Sequence, residues 1–262
     1  MMVRTVFLLL LGGVISRQGM SQIRFPETGF LSVEDGLSQS TVHCIAFDAE
    51  GYAWFGTEDG LNRFDGYTFT TYRSVAGDPS SLSDNFISCL AVGRSGAIWV
   101  GTQQGLNTRD HATATFHSVS TAHDTSALLT KLECTAVLED HLRTVWIGTS
   151  HGLVHYDPGS GSVLALTHDP ARGRSLLDDH VLSLLEDSTG TLWVGTKHGV
   201  GMYDPGSAQF TNYDIPGSQD AYSLCTYTGG KIIAGNNRGE LFSIDREHGR
   251  TVPFPASGSA PQ

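Results

Sequence analysis

One phrase recurs four times along this chain. Trp54-Phe55-Gly56-Thr57-Glu58-Asp59-Gly60-Leu61 returns as Trp99 to Leu106, Trp146 to Leu153 and Trp193 to Val200, and an eroded fifth copy runs from Ile233 through Gly235 and Gly239 to Leu241. Successive lead residues stand 45, 47, 47 and 40 positions apart, a period in the range of propeller blades. Each copy reads as an apolar strand, a Gly-Thr step, a two-residue polar insert, a glycine and a second apolar strand, which is a hairpin. The expected fold is all-β: a β-propeller of four-stranded antiparallel blades with five repeats, closed as a small ring or forming part of a larger, seven-bladed one.

The first copy gives the grammar. Val42, Cys44 and Ala46 alternate with His43, Ile45 and Phe47, and since neither set is charged the strand is expected to be covered on both faces. Asp48-Ala49-Glu50-Gly51 follows, with the Asp and Gly that a type I turn favours. Asp187-Ser188-Thr189-Gly190 repeats it, Gly93-Arg94-Ser95-Gly96 keeps the glycine, and the third copy, through Asp140-His141-Leu142-Arg143, reads as two residues longer. The recurring aspartates are expected to cap backbone N–H groups of their turns. Trp54 and its equivalents bring a large apolar area, expected between neighbouring blades, and an indole N–H that needs a partner when buried.

The predicted blades span 37–73, 82–119, 127–168, 176–213 and 220–254. Polar-capped connectors such as Ser81-Leu82-Ser83-Asp84-Asn85 and Ser175-Leu176-Leu177-Asp178-Asp179 join them. Ile23 to Ser32 reads as an isolated outer strand, and 255–262 as a disordered tail.

Acidic residues outnumber basic ones 27 to 16, for a formal net charge of −11, a surface that repels phosphate backbones and anionic lipid and so argues against nucleic-acid binding. Residues 1–21 read as a signal peptide: Arg4, an apolar run from Val6 to Ile15, and Gly19-Met20-Ser21 before the cleavage point. That run is shorter than the ~20 residues a bilayer span needs, so the mature chain is expected to carry no membrane segment and to be periplasmic or secreted. Cys44, Cys89 and Cys134 recur every 45 residues, with Ser183 in the fourth place, and read as small buried core residues in separate blades, not as a disulfide framework. Cys225 falls off that register. The histidines His151, His155, His180 and His198 lack ligand-spaced partners, so no metal site and no cofactor is expected.

Strand order brings the second-to-third hairpins and the connectors out on one face. The candidate ligand-binding residues all lie there: Glu58 and Asp59, Gln103 and Gln104, Ser150 and His151, Lys197 and His198, Asn237 and Arg238, joined by Asn85 and His180 from the connectors. Amides, imidazoles, carboxylates and a cation ringed about a pocket suit a polyhydroxylated or acidic small ligand, because each supplies directional donors or acceptors. Solvated loop tips would also be polar. The predicted innermost strands Val42 to Phe47, Ile87 to Val92 and Val181 to Leu185 carry no acids, and no nucleophile elbow is present, so no catalytic residue is assigned and the chain as it stands is not expected to be an enzyme.

The repeated Trp-(Phe/Val/Ile)-Gly-Thr-x-x-Gly-Leu, with its preceding Asp-x-x-Gly turn and its Tyr-Asp-Pro or Phe-Asp-Gly ending, resembles the two-component regulator propeller repeat. Glu34-Asp35-Gly36-Leu37-Ser38 and Leu61-Asn62-Arg63-Phe64-Asp65-Gly66 resemble the opening of that family's sensor domains. The resemblance runs from about Ile23 to Phe254. It implies a bacterial extracytoplasmic ligand-sensing domain, commonly followed by a β-sandwich, a membrane helix and a histidine kinase or diguanylate cyclase module, with oligosaccharides as ligands in one branch. It also implies a homodimer made through such a C-terminal region. Two further readings stay open beside the sensor: a protein-interaction propeller without a small ligand, and a carbohydrate-active hydrolase or lyase.

Overall fold

The computed structural model describes residues 30–111, 113–119, 132–215 and 220–254. The expected signal peptide, most of the Ile23 to Ser32 strand and the 255–262 tail lie outside the described residues. Where that strand is described, at Phe30 to Ser32, the backbone is not a strand. It leads into a single 3-10 turn, Val33–Asp35, capped by the Ser32 side chain.

Among the described residues twenty strands form five separate four-stranded sheets, each an antiparallel meander. Blade one is β1 (Val42–Phe47), β2 (Ala53–Thr57), β3 (Gly60–Phe64) and β4 (Phe69–Tyr72); blade two is β5 (Ile87–Val92), β6 (Ile98–Thr102), β7 (Gly105–Arg109) and β8 (Phe116–Ser118). Blade three is β9 (Cys134–Glu139), β10 (Val145–Thr149), β11 (Gly152–Asp157) and β12 (Ser162–Leu166). Blade four is β13 (Val181–Glu186), β14 (Leu192–Thr196), β15 (Gly199–Asp204) and β16 (Gln209–Tyr213), and blade five is β17 (Ser223–Tyr227), β18 (Lys231–Gly235), β19 (Leu241–Asp245) and β20 (Arg250–Pro253). The first strands β1, β5, β9, β13 and β17 neighbour one another in that order. The sheets therefore succeed one another about an axis, as propeller blades do.

The alternation of side chains along each second strand explains the repeat. Trp54, Trp99, Trp146 and Trp193 face the following blade, while the residues on either side face the preceding one. Trp54 packs with Ile87, Ile98, Val100 and Phe116; Trp99 with Val145, Ile147 and Tyr156; Trp146 with Leu192, Val194 and Tyr203; and Trp193 with Ile232, Ala234 and Phe242. Every seam thus joins a tryptophan-bearing face to an aliphatic one. Asn62 and Asn107, fully buried, seat the connectors: each accepts the backbone N–H of Ser38 or Ser83 at 3.0 Å and donates to that serine's hydroxyl.

The indole N–H groups find their partners in the turn aspartates. Trp54, Trp146 and Trp193 donate to Asp48, Asp140 and Asp187 at 2.7, 2.9 and 2.9 Å, and the same carboxylates accept backbone N–H groups of their turns. Burial alone would raise the Asp187 carboxyl, but hydrogen bonds from Thr189, Trp193 and the turn backbone outweigh it and hold it down to about 2. The third turn is not longer than the others. Asp140 and Arg143 bond as Asp48 and Gly51 do, with Arg143 taking the left-handed conformation at φ 66° that glycine supplies elsewhere.

Blade two has Gly93 in place of the aspartate, and there the next blade supplies the acceptor. Glu139 takes the Trp99 indole N–H at 2.7 Å and the Arg94 N–H at 2.8 Å. A Cβ on Gly93 would stand 2.1 Å from that carboxylate. We expect Glu139→Ala to cost about 1–3 kcal/mol for the orphaned indole, and Gly93→Asp to be destabilising by crowding. The double variant, with the carboxylate moved into the turn, should recover much of the loss in urea melts.

The cysteine register differs from its expectation. Cys44 and Cys89 stand opposite Gly56 and Gly101, but Ala136 stands opposite Gly148, and Cys134 occupies the place of Val42, Ile87 and Val181. The shift follows from the turn: because the third turn is no longer than the others, the residue ten positions before Trp146, as Cys44 is before Trp54 and Cys89 before Trp99, is Ala136 and not Cys134. All four cysteines are free, and Cys225 lies exposed opposite Ile233. Burial pushes the Cys44 and Cys134 thiols up to about 12, which keeps them protonated and unreactive.

One other expectation fails at β1, which is not covered on both faces. Cys44 packs toward blade two, but Ile45 and Phe47, on the other face, are 55 % and 70 % exposed. Their equivalents Leu90 and Val92 are partly buried because blade one lies over them; among the described residues no blade lies over β1 in the same way.

Candidate functional site

The hairpins between second and third strands share one face with the connectors. The hairpin glycines Gly60, Gly105 and Gly152 donate N–H to carbonyls of Asn85, Leu132 and Asp179, and Lys197 donates to His180, at 2.7–3.1 Å. The threonine of each Gly-Thr step holds its hairpin shut. Thr57 Oγ1 donates to the Gly60 carbonyl at 2.9 Å and accepts from Asp59 N–H at 3.1 Å, and Thr102, Thr149 and Thr196 do the same. The fifth hairpin is built differently. Asn236 caps it by accepting the N–H groups of Arg238 and Glu240, as the turn aspartates do.

Most of the twelve expected residues engage neighbours on this face. Asp59 pairs with Arg73 at 2.9 and 3.2 Å, and the hydrogen bond from that guanidinium holds its carboxyl below the usual range. Gln104 donates to Asp84 at 2.8 Å, His198 meets Asp178 at 2.8 Å, and Asn237 donates to Asp220 at 2.8 Å. A connector carboxylate thus braces the insert in three blades. Ser150 and His151 bond to each other at 2.9 Å, and Glu58 lies 3.5 Å from His43. Asn85 Oδ1 accepts the Ser74 N–H, and the His180 N–H is held by Asp178. Gln103, Lys197 and Arg238 are exposed.

Sequence reading missed the inner rim. The first strands of blades one to four each carry a β-bulge beside the top end, at His43, Ser88, Thr135 and Leu182; bulges of this kind re-aim side chains and collect beside functional sites. Two of these residues tie neighbouring blades together. Ser88 Oγ donates to the Cys134 carbonyl and Thr135 Oγ1 to the Val181 carbonyl. His43 stacks on Phe86 with ring centroids 4.8 Å apart. The bracing aspartates Asp84 and Asp178 stood in the connectors but read only as caps. None of the twelve residues lines the five cavities of 240–610 Å³, the largest of which lies at the outer rim between β12 and β16 beside Arg172, Arg174 and Phe210. The described face offers a rim of hydrogen-bonding groups. Among the described residues no cluster is suited to a metal ion, and no helix is long and apolar enough to cross a membrane.

The family model "Two component regulator propeller" matches residues 36–59, 81–104 and 175–198. Each match begins in a connector and runs through the first strand, the turn and the second strand to the polar insert. Three of the five repeats thus match the two-component regulator propeller repeat. A stretch of 48 residues is 54 % identical to Histidine kinase P4 of Formosa agariphila, covering 18 % of this chain and 4 % of the kinase. Among solved structures, this chain resembles the extracellular domain of the hybrid two component system BT3049 from B. thetaiotaomicron (TM-score 0.61, 20 % identity, 88 % of this chain, 37 % of that one). It also resembles virginiamycin B lyase from Staphylococcus aureus (TM-score 0.62, 11 % identity, 86 % and 73 %). The chain spans a small part of the kinase and about a third of the sensor domain. The structural likenesses establish the propeller fold and leave the chemistry to the residues.

Proposed function

We propose that this chain is the ligand-sensing propeller of a two-component-type signalling protein, placed outside the cytoplasm, and that its hairpin face receives a saccharide or another polar small ligand. The observation that carries the reading is that the three regulator-propeller matches each end on the insert of that face, joined by the kinase-like stretch. Support for a saccharide comes from the residue types. Glu58, Gln103, Ser150, Lys197 and Asn237 offer donors and acceptors to hydroxyl groups, and the His43–Phe86 stack offers an apolar edge for a sugar ring. The net charge of −11 favours a neutral ligand over a polyanion.

A saccharide panel read by melting temperature tests it. A true ligand at a hundred times its Kd should add about 2.7 kcal/mol of stability, and Gln103→Ala with Lys197→Ala should remove most of that gain without lowering the unliganded melting point. If no saccharide or polar metabolite shifts melting while a protein partner is captured, the interaction reading replaces this one. Turnover of a saccharide would replace it with catalysis.

A further inference from the structure

A cavity of about 240 Å³ opens on the face opposite the hairpins, in the seam between blades three and four. Trp146 and Tyr203 form its aromatic floor, Leu142 and Pro205 its rim, and the carboxylates of Asp140 and Glu186 one wall. The other seams show what this position holds elsewhere. Between blades four and five, the residue following the aspartate that ends the third strand is Arg246. Its guanidinium lies over the Trp193 ring at 4.6 Å and donates to Asp187 at 2.7 Å. Between blades one and two, Arg109 and Arg63 lie over Trp54 at 5.2 and 6.0 Å.

In the seam of blades three and four the place of Arg246 is taken by Pro205, which follows Asp204 as Arg246 follows Asp245. His155 stands where Arg63 does, stacked on Trp146 at 4.1 Å, and burial lowers its pKa, which disfavours the charge that Arg63 carries. The carboxylates remain. Asp140 is saturated by Trp146, Thr144 and backbone N–H groups. Glu186 is different: its side chain is 13 % exposed, His141 engages only Oε1, and the Arg94 guanidinium comes no nearer to Oε2 than 3.8 Å.

We infer that this cavity is a binding site for a guanidinium group brought by a ligand, with the cation against the Trp146 ring and an N–H on Glu186 Oε2. The guanidinium suits both walls, being planar, weakly hydrated, able to stack on an aromatic ring and able to give a carboxylate oxygen a charge-assisted hydrogen bond. A free alkylguanidine and an arginine side chain of a peptide present the same chemistry. The site is independent of the hairpin face and of any saccharide bound there.

The test is titration of the whole chain with n-butylguanidine and, separately, with a short arginine-containing peptide, followed by calorimetry and melting temperature, with n-butanol as the uncharged control. Saturable binding of the guanidine but not the alcohol is expected, weakened at least tenfold by Glu186→Gln. Pro205→Arg, which supplies the guanidinium from within as Arg246 does next door, should raise the unliganded melting temperature and abolish the response. Should that variant not fold, Glu186→Gln decides alone. Stronger binding of the peptide than of butylguanidine would point to a protein source, the reverse to a small molecule. No binding to the native chain, or binding unchanged in Glu186→Gln, overturns the assignment.

Discussion

Trp193→Ala should lower stability by about 3–5 kcal/mol, the range for deleting a fully buried tryptophan, and drop the melting temperature by on the order of 10 °C for a chain of this size. Trp193 is completely buried, packs with Ala221, Ile232, Ala234 and Phe242 of the next blade and its approach, and satisfies Asp187 through its indole. Removing it empties the seam, takes one of two donors from Oδ2 of a carboxylate that sits 5 % exposed and leaves it the Arg246 guanidinium, and takes away the ring over which that guanidinium lies. Trp193→Phe separates the two contributions: most of the packing survives and only the N–H is lost, so the cost should fall to about 1–3 kcal/mol. Equal losses for Ala and Phe in denaturant melts would show that the seam does not depend on ring volume.

Gly195→Ala should cost about 2–4 kcal/mol although it adds one methyl group. Strand β14 passes so near its neighbours that a Cβ there would stand 2.2 Å from Ser183 Oγ and 2.5 Å from the Ala221 carbonyl. The carbonyl is backbone and cannot rotate away, and Ser183 already donates to it at 2.9 Å, so overpacking and the loss of that hydrogen bond add together. Gly173, with nothing within 4 Å of its added Cβ, is the control, and Gly173→Ala should leave the melting curve unchanged. If both substitutions are silent, the Gly-Thr step is not a seam requirement.

These residues also show how far the sequence could be read. The blades were legible because each strand obeys a period of two and each tryptophan recurs at the same place, so periodicity carries both the strands and the tryptophan face of the seams. The indole partners were half legible: Asp48, Asp140 and Asp187 stood out as turn formers, but their second task, and its transfer to Glu139 where Gly93 leaves the turn empty, depends on contact between repeats. Cys134 was misplaced because its 45-residue step from Cys89 was followed instead of its distance to Trp146, which is twelve residues where Cys44 and Cys89 stand ten before their tryptophans. The hairpin face was readable as a set of loops. Its inner rim of His43, Ser88, Thr135 and Leu182 was not, since those residues read as ordinary strand positions until the bulge turns them.

The seams also give the molecule a polarity. Blades one to four each present a tryptophan to their successor, which meets it with an aliphatic-aromatic surface, so a joint forms in one orientation only. Duplication or loss of one whole 45-residue unit would leave every remaining joint of the same kind. Such an arc can change its number of members while each member keeps its own rules, and the Ile45–Phe47 side of blade one is the place where a newly added member would dock.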